Sequence, residues 1–237
     1  MTHNINITHL NYLKKSGVSV FLQNKPNIYY NTQTNKGTNA IKDKMDELKN
    51  LSDLKLFIKE KNNLGFSKNS FEPIIGEGSD KAEIMLIGGS VEKEENQESK
   101  SISGEPEELL NKMLKAINLN RDQVYTTNIV PWVMDKNQKI ENRDLLICLP
   151  FIQRQIEIIK PNIILLMGSI ATKAILNSNL EMSKLRGEWH LYKSINLNKP
   201  IECLVTHHPK TLIQFPKEKK FAWEDLKILQ KKILNAN

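Results

Sequence analysis

Four short stretches constrain the fold of this chain more than any other feature of it. They are AEIMLIG (Ala82–Gly88), QVYTTNIV (Gln123–Val130), the run Asn162–Met167 opened by Pro161, and Pro200–Thr206. All are rich in Ile, Leu and Val, and the first and third are near-continuous apolar runs, as expected of strands buried on both faces. Between them the apolar spacing changes to that of helices: Leu109, Leu110, Met113, Leu114 and Ile117; then Leu145, Leu149, Ile152 and Ile156; then Ile170–Leu176; and last Glu218–Leu234. Strand and helix alternate, which predicts an α/β fold: three layers, α/β/α, around a central four-stranded parallel sheet. Ligands of such sheets bind beyond the carboxyl ends of the strands. The residues there are Gly88-Gly89-Ser90, Asn128, Gly168-Ser169 and His207-His208-Pro209.

The 237 residues divide on pattern into three parts. Residues 1–40 read as a helix from Leu10 to about Gln23 followed by a linker; residues 41–81 as a helical segment with the stripe Met45, Leu48, Leu51, Leu54 and Phe57; residues 82–237 as the main domain. No internal repeat is present. Mean hydropathy is -0.45, and no apolar run reaches the ~20 residues of a membrane helix. The opening MTHNINITHL lacks an apolar export region, so a cytoplasmic protein is expected. Two cysteines, Cys148 and Cys203, exclude a disulfide framework and a four-cysteine metal site within one chain, so no metal is expected. Net charge is +7, which is compatible with a polyanionic partner, though a chain so rich in Lys, Asn and Ile also fits AT-rich coding. A nucleotide-binding reading finds neither GxGxxG nor GxxxxGK[ST].

Taken in order, Gly88-Gly89-Ser90-Val91-Glu92, Thr127-Asn128 and His208-Pro209 resemble the uracil-DNA glycosylase superfamily, and among its members the bacterial and archaeal family 4 type. Leu109–Val130, Leu149–Leu176, KLRGEW (Lys184–Trp189) and FAWEDLKIL (Phe221–Leu229) support the resemblance, and LNYLKKSGVSVFLQNKP is similar to the leading helix of an α-proteobacterial subgroup. The resemblance implies a bacterial, nucleoid-associated, monomeric base-excision repair protein. It would hydrolyse the N-glycosidic bond of a uracil flipped out of single- or double-stranded DNA. That chemistry must hold the base's Watson–Crick edge, stabilise negative charge on the leaving base and present a water.

Asn128 suits the first task, because one amide offers a donor to O4 and an acceptor to N3–H of uracil; outside the resemblance it reads more readily as a strand-end turn residue. His208 suits the second by donating to O2, its other reading being a cap at the sheet edge. The resemblance adds Gly88, Gly89, Ser90, Ile102 and Pro209 as residues around the base. It also sets Lys210, Leu212 and Ile213 where an apolar wedge enters the duplex, although Leu212 and Ile213 read equally as core. Ser169, at a helix start, and Arg186, with Lys210, Lys217, Lys219 and Lys220, are phosphate candidates.

Three departures from the family are visible. Family 4 reads Gly-Glu-Ala-Pro-Gly at the first motif, and Gly89 stands in the place of its water-activating Glu. Glu92 is the candidate replacement, with Glu94 and Glu95 following, against the alternative of a plain acidic surface run. Ile102 stands in place of a base-stacking Phe, a loss worth on the order of 1–3 kcal/mol per base. Of the cysteines that hold a 4Fe–4S cluster in the family, only Cys148 has a match, and Trp132 occupies the place of another, so no cluster is expected and Trp132 is expected in the core. Two readings follow: a cluster-free glycosylase with a degenerate first motif, or an impaired, DNA-binding or damage-recognising homologue on the same fold.

Overall fold

In the computed structural model residues 44–60, 73–91, 100–134, 139–178 and 180–235 are described. All belong to one compact unit, residues 33–237. The expected helix at Leu10–Gln23, its linker and Glu92, Glu94 and Glu95 lie outside the described residues.

Residues 44–47 are helical, and a new helix, α1, spans Leu51–Glu60. The sequence pattern runs straight through 48–50, but Asn50 interrupts it. Its side-chain oxygen accepts from the Asp53 backbone N–H at 2.8 Å and its amide donates back to the Asp53 carboxylate, so it caps α1 instead of continuing a helix. Then follow β1 (Ile84–Gly88), α2 (Glu105–Ala116), β2 (Val124–Asn128), α3 (Asn142–Ile159), β3 (Ile163–Met167), α4 (Ser169–Leu176), α5 (Met182–Leu185), β4 (Trp189–Tyr192), β5 (Ile201–Thr206), α6 (Pro209–Gln214) and α7 (Lys219–Leu234). Local chemistry sets several boundaries. Glu141 and Asp144 form a reciprocal cap at the start of α3, and Lys160 ends it in the left-handed conformation just before Pro161. Pro106 and three glutamates occupy the first turn of α2.

The sheet order is β2-β1-β3-β5-β4. The four expected strands are parallel to one another, and their residues alternate between two apolar layers. Met85, Ile87, Ile164, Leu166, Cys203 and Val205 face α1, α3 and α4. Ile84, Leu86, Ile163, Leu165, Met167 and Leu204 face α2, α6 and α7. The three-layer architecture is therefore present, but among the described residues the sheet has five strands and is mixed rather than four-stranded and all parallel. The additional strand, β4, runs antiparallel beside β5. At four residues, half-exposed, WHLY carries too little apolar pattern to read as a strand; pairing with β5 makes it one.

Trp132 is buried in the first layer, edge-on to Phe151 of α3 with ring centroids 5.9 Å apart. Cys148, also on α3, is fully buried in that layer.

Candidate functional site

Strand register levels the carboxyl ends. Gly88 pairs with Asn128, and Met167 with Thr206. The chain leaves β1 towards β2 on one side and leaves β3 towards β4 and β5 on the other, so the connections diverge between β1 and β3. A crevice is forced open at such a point. The cleft observed there, about 590 Å³ including its solvent-open part, is lined by Gly89 and Ser90 after β1, Met167 at the end of β3 with Gly168, Ser169 and Ile170 after it, and His208, Lys210, Thr211 and Gln214 after β5.

Gly88 brings two polar side chains together. A Cβ on it would collide with Asn128 Oδ1 and lie 3.3 Å from His208 Nε2. Only glycine leaves room for both atoms, which flank the same space. Gly168, with φ +89°, turns the chain from β3 into α4 and would put a Cβ 3.2 Å from the His208 side chain. Asn128 is buried at the end of β2, and its Nδ2 donates to the Ser101 carbonyl at 2.6 Å. A carbonyl can only accept, so the amide is oriented with Oδ1 towards Gly88, and the second Nδ2 proton is not used by this bond.

His208 is the N-cap of α6, and its Nδ1 accepts from the Lys210 backbone N–H at 3.2 Å. An accepting Nδ1 leaves the proton of the neutral ring on Nε2, the atom beside Gly88. Burial first, and the Lys210 ammonium second, push the His208 pKa down to about 4. Near neutral pH the imidazole is therefore an uncharged N–H donor, and its Nε2 and the Asn128 amide oxygen both lie beside Gly88.

The other residues fall into place unevenly. Ser90 and Ser169 reach the cleft, and Ser169 is exposed at the first turn of α4. Pro209 is buried at the first position of α6. Ile102 is buried in the second layer beside Ser101, with Met167 and Leu212 in the same layer. Ile213 is half-buried, and Lys217, Lys219 and Lys220 are exposed. Leu212, 1% exposed, is packed in the second apolar layer, which favours the core reading of it. Arg186 is engaged within the molecule: it makes a two-pronged contact to buried Asp225 at 2.6 and 3.3 Å and donates to the Phe221 carbonyl. His207 pairs with Glu218 at 3.2 Å. Sequence reasoning missed Ile170, Thr211 and Gln214 in the cleft wall; α4 and α6 supply them, and only the packing of those helices reveals it.

The match of one family description now has a geometry to rest on: residues 75–227 match the uracil DNA glycosylase superfamily. The chain belongs to the uracil DNA glycosylase superfamily. Its relatives include the type-4 uracil-DNA glycosylases of Sulfurisphaera tokodaii, 36% identical over 64% of this chain and 70% of the relative, and of Saccharolobus solfataricus, 33% identical over 68% and 75%. The type-4 enzyme of Thermotoga maritima is 25% identical over 62% and 74%.

A four-cysteine iron–sulfur cluster, which the resemblance to family 4 raises, needs donors that the described residues do not supply. The full chain has two cysteines. Burial raises the pKa of the Cys148 thiol far above the ordinary range and the Cys203 thiol to about 12, so both are held as neutral thiols. Cys148 sits on a helix and Cys203 on a strand. Among the described residues no group of three or more His, Cys, Asp or Glu side chains is placed to hold a metal ion.

Proposed function

We propose that this chain is a cluster-free uracil-DNA glycosylase, acting as a monomer on uracil flipped out of single- or double-stranded DNA. The observation that carries the reading is the meeting of Asn128 Oδ1 and His208 Nε2 over Gly88, at the switch point of the sheet. It is supported by the names of the chain's relatives. In this reading Asn128 accepts from uracil N3–H and donates its remaining Nδ2 proton to O4, whereas cytosine presents the opposite pattern and is refused. As the glycosidic bond lengthens, the sugar gains oxocarbenium character and the base gains negative charge. The neutral His208 Nε2–H donates to O2 and stabilises that charge without itself transferring a proton. Water then adds to the sugar carbon and loses its proton to solvent.

A cleavage assay on uracil-containing single strands, with enzyme in excess, tests the reading. Wild-type protein is expected to leave an abasic product, and His208→Ala to slow its formation about 10²- to 10³-fold. No abasic product from the wild type rejects it.

One observation favours the alternative of an impaired damage-recognition homologue: among the described residues no carboxylate lines the cleft, and Gly89 stands where the resemblance places one. That alternative predicts tight, salt-sensitive binding of uracil-containing DNA with no base release.

A further inference from the structure

Asn128 reads uracil only if its amide keeps one of two near-identical orientations, since a half-turn of the amide exchanges donor and acceptor. The contact that fixes it is the Ser101 carbonyl, which accepts from Nδ2 at 2.6 Å. Ser101 lies in a loop, and a loop carbonyl is a poor reference point unless something holds it. Two bonds do so. Its hydroxyl donates to the Thr126 carbonyl at 3.1 Å, and its backbone N–H donates to Glu77 Oε1 at 3.1 Å. Glu77 is itself fixed to β2: its backbone exchanges bonds with Thr126 at 2.8 and 2.9 Å, and its carboxylate lies 3.2 Å from the Arg121 guanidinium, which also donates to Thr126 Oγ1. Every link ends on β2, two residues before Asn128.

We propose that Glu77 is a positioning residue for base selection, locking the Asn128 amide through Ser101 so that its oxygen stays towards Gly88. The inference rests on the reading of Asn128 as the uracil-recognising residue, and adds what sets its sense. Glu77 touches no base; it holds the backbone group that orients the one that does. A bond from an N–H to a charged carboxylate is among the stronger kinds in a protein, which makes the lock selective rather than incidental.

The test measures, by fluorescence anisotropy, binding of the full chain to single strands bearing one 2′-fluoro-2′-deoxyuridine or 2′-fluoro-2′-deoxycytidine, whose glycosidic bonds resist cleavage. The wild type is expected to prefer the uridine. Glu77→Ala is expected to lose that preference about 10-fold or more. Glu77→Gln, which still offers an oxygen to the Ser101 N–H, keeps most of it, a rescue that a merely structural role would not give. Nitrogen-15 spectra of the Asn128 side-chain amide supply a second readout: slow proton exchange in the wild type and in Glu77→Gln, faster exchange in Glu77→Ala. Should Glu77→Ala not fold, Ser101→Ala, which removes the other tether of the same carbonyl, is expected to show the same loss and the same faster exchange. A wild type that binds both strands alike overturns the uracil reading. A wild type that discriminates, with the tether variants equally selective and equally protected, overturns the role of Glu77 alone.

Discussion

Two single residues lining the cleft, Gly89 and His208, each give a sharp expectation. At Gly89 a Cβ would lie 3.0 Å from both Cβ and Cδ1 of Ile170, tighter than side chains normally approach. Ile170 thus occupies the space through which a residue-89 side chain must leave. Gly89→Glu is expected to destabilise the fold by about 1–3 kcal/mol through overpacking, and to leave base release unimproved until Ile170→Ala accompanies it. Melting curves and single-turnover excision for the single and double variants check this; a Gly89→Glu protein as stable as wild type defeats it. At His208 the expectation concerns pH. Its pKa in the folded chain, about 4, lies below the ordinary 6.5. As pH falls, the unfolded chain takes up this proton first, so stability present above about 6.5 is lost progressively towards 4. The loss is on the order of 2 kcal/mol after allowance for partial solvent exposure. Denaturant titrations at neutral pH and near pH 5 should show a larger drop for wild type than for His208→Gln, which cannot titrate there. Asn128 and His208 were legible from the sequence as residues at strand ends. That Ile170 backs Gly89 was not, because the two meet only when β1 and α4 pack.

Among the elements, α6 shows how a short helix can serve the site with one face and the core with the other. His208 caps it, Pro209 opens it, and Leu212, one turn on, is buried with α7 and the second apolar layer. Leu212→Ala is therefore expected to cost about 2–5 kcal/mol of stability, and to slow excision from single strands and duplexes alike. A wedge residue would impair the duplex reaction selectively, so a duplex-only defect in assays of both substrates overturns the assignment to the core. The link between α7 and the end of β5 is more costly to disturb. Asp225, fully buried, accepts from Arg186 and from Thr206 Oγ1 at 2.8 Å. Removing the guanidinium leaves a buried carboxylate without its counter-ion. The helices were legible because their apolar spacing is long and regular: the stripe Leu145, Leu149, Ile152 and Ile156 lies within α3. The strand β4 was not, since four residues contain barely one alternation and its partner lies across a loop.

At the scale of the whole molecule, charge and topology act together. The excess of +7 carries no address by itself, and Arg186 shows how a cation can be engaged internally. Lys217, Lys219 and Lys220 remain exposed just after α6, on the side of the sheet where the cleft opens. Replacing Lys219 and Lys220 by alanine is expected to flatten the slope of log K against log salt for duplex DNA by about 0.9 for each phosphate that is no longer neutralised. An unchanged slope over a salt titration would remove these lysines from the interface. The sequence by itself determined the layers and the four parallel strands, because buried strands and amphipathic helices write their periods directly into the chain. It also determined that four thiolates are not available. Only the tertiary structure decided that Asn128 and His208 share one space over Gly88, that Arg186 and Leu212 turn inwards, and that Glu77 reaches Ser101. These pairings join residues far apart in the chain, and no local pattern encodes the direction in which a side chain finally points.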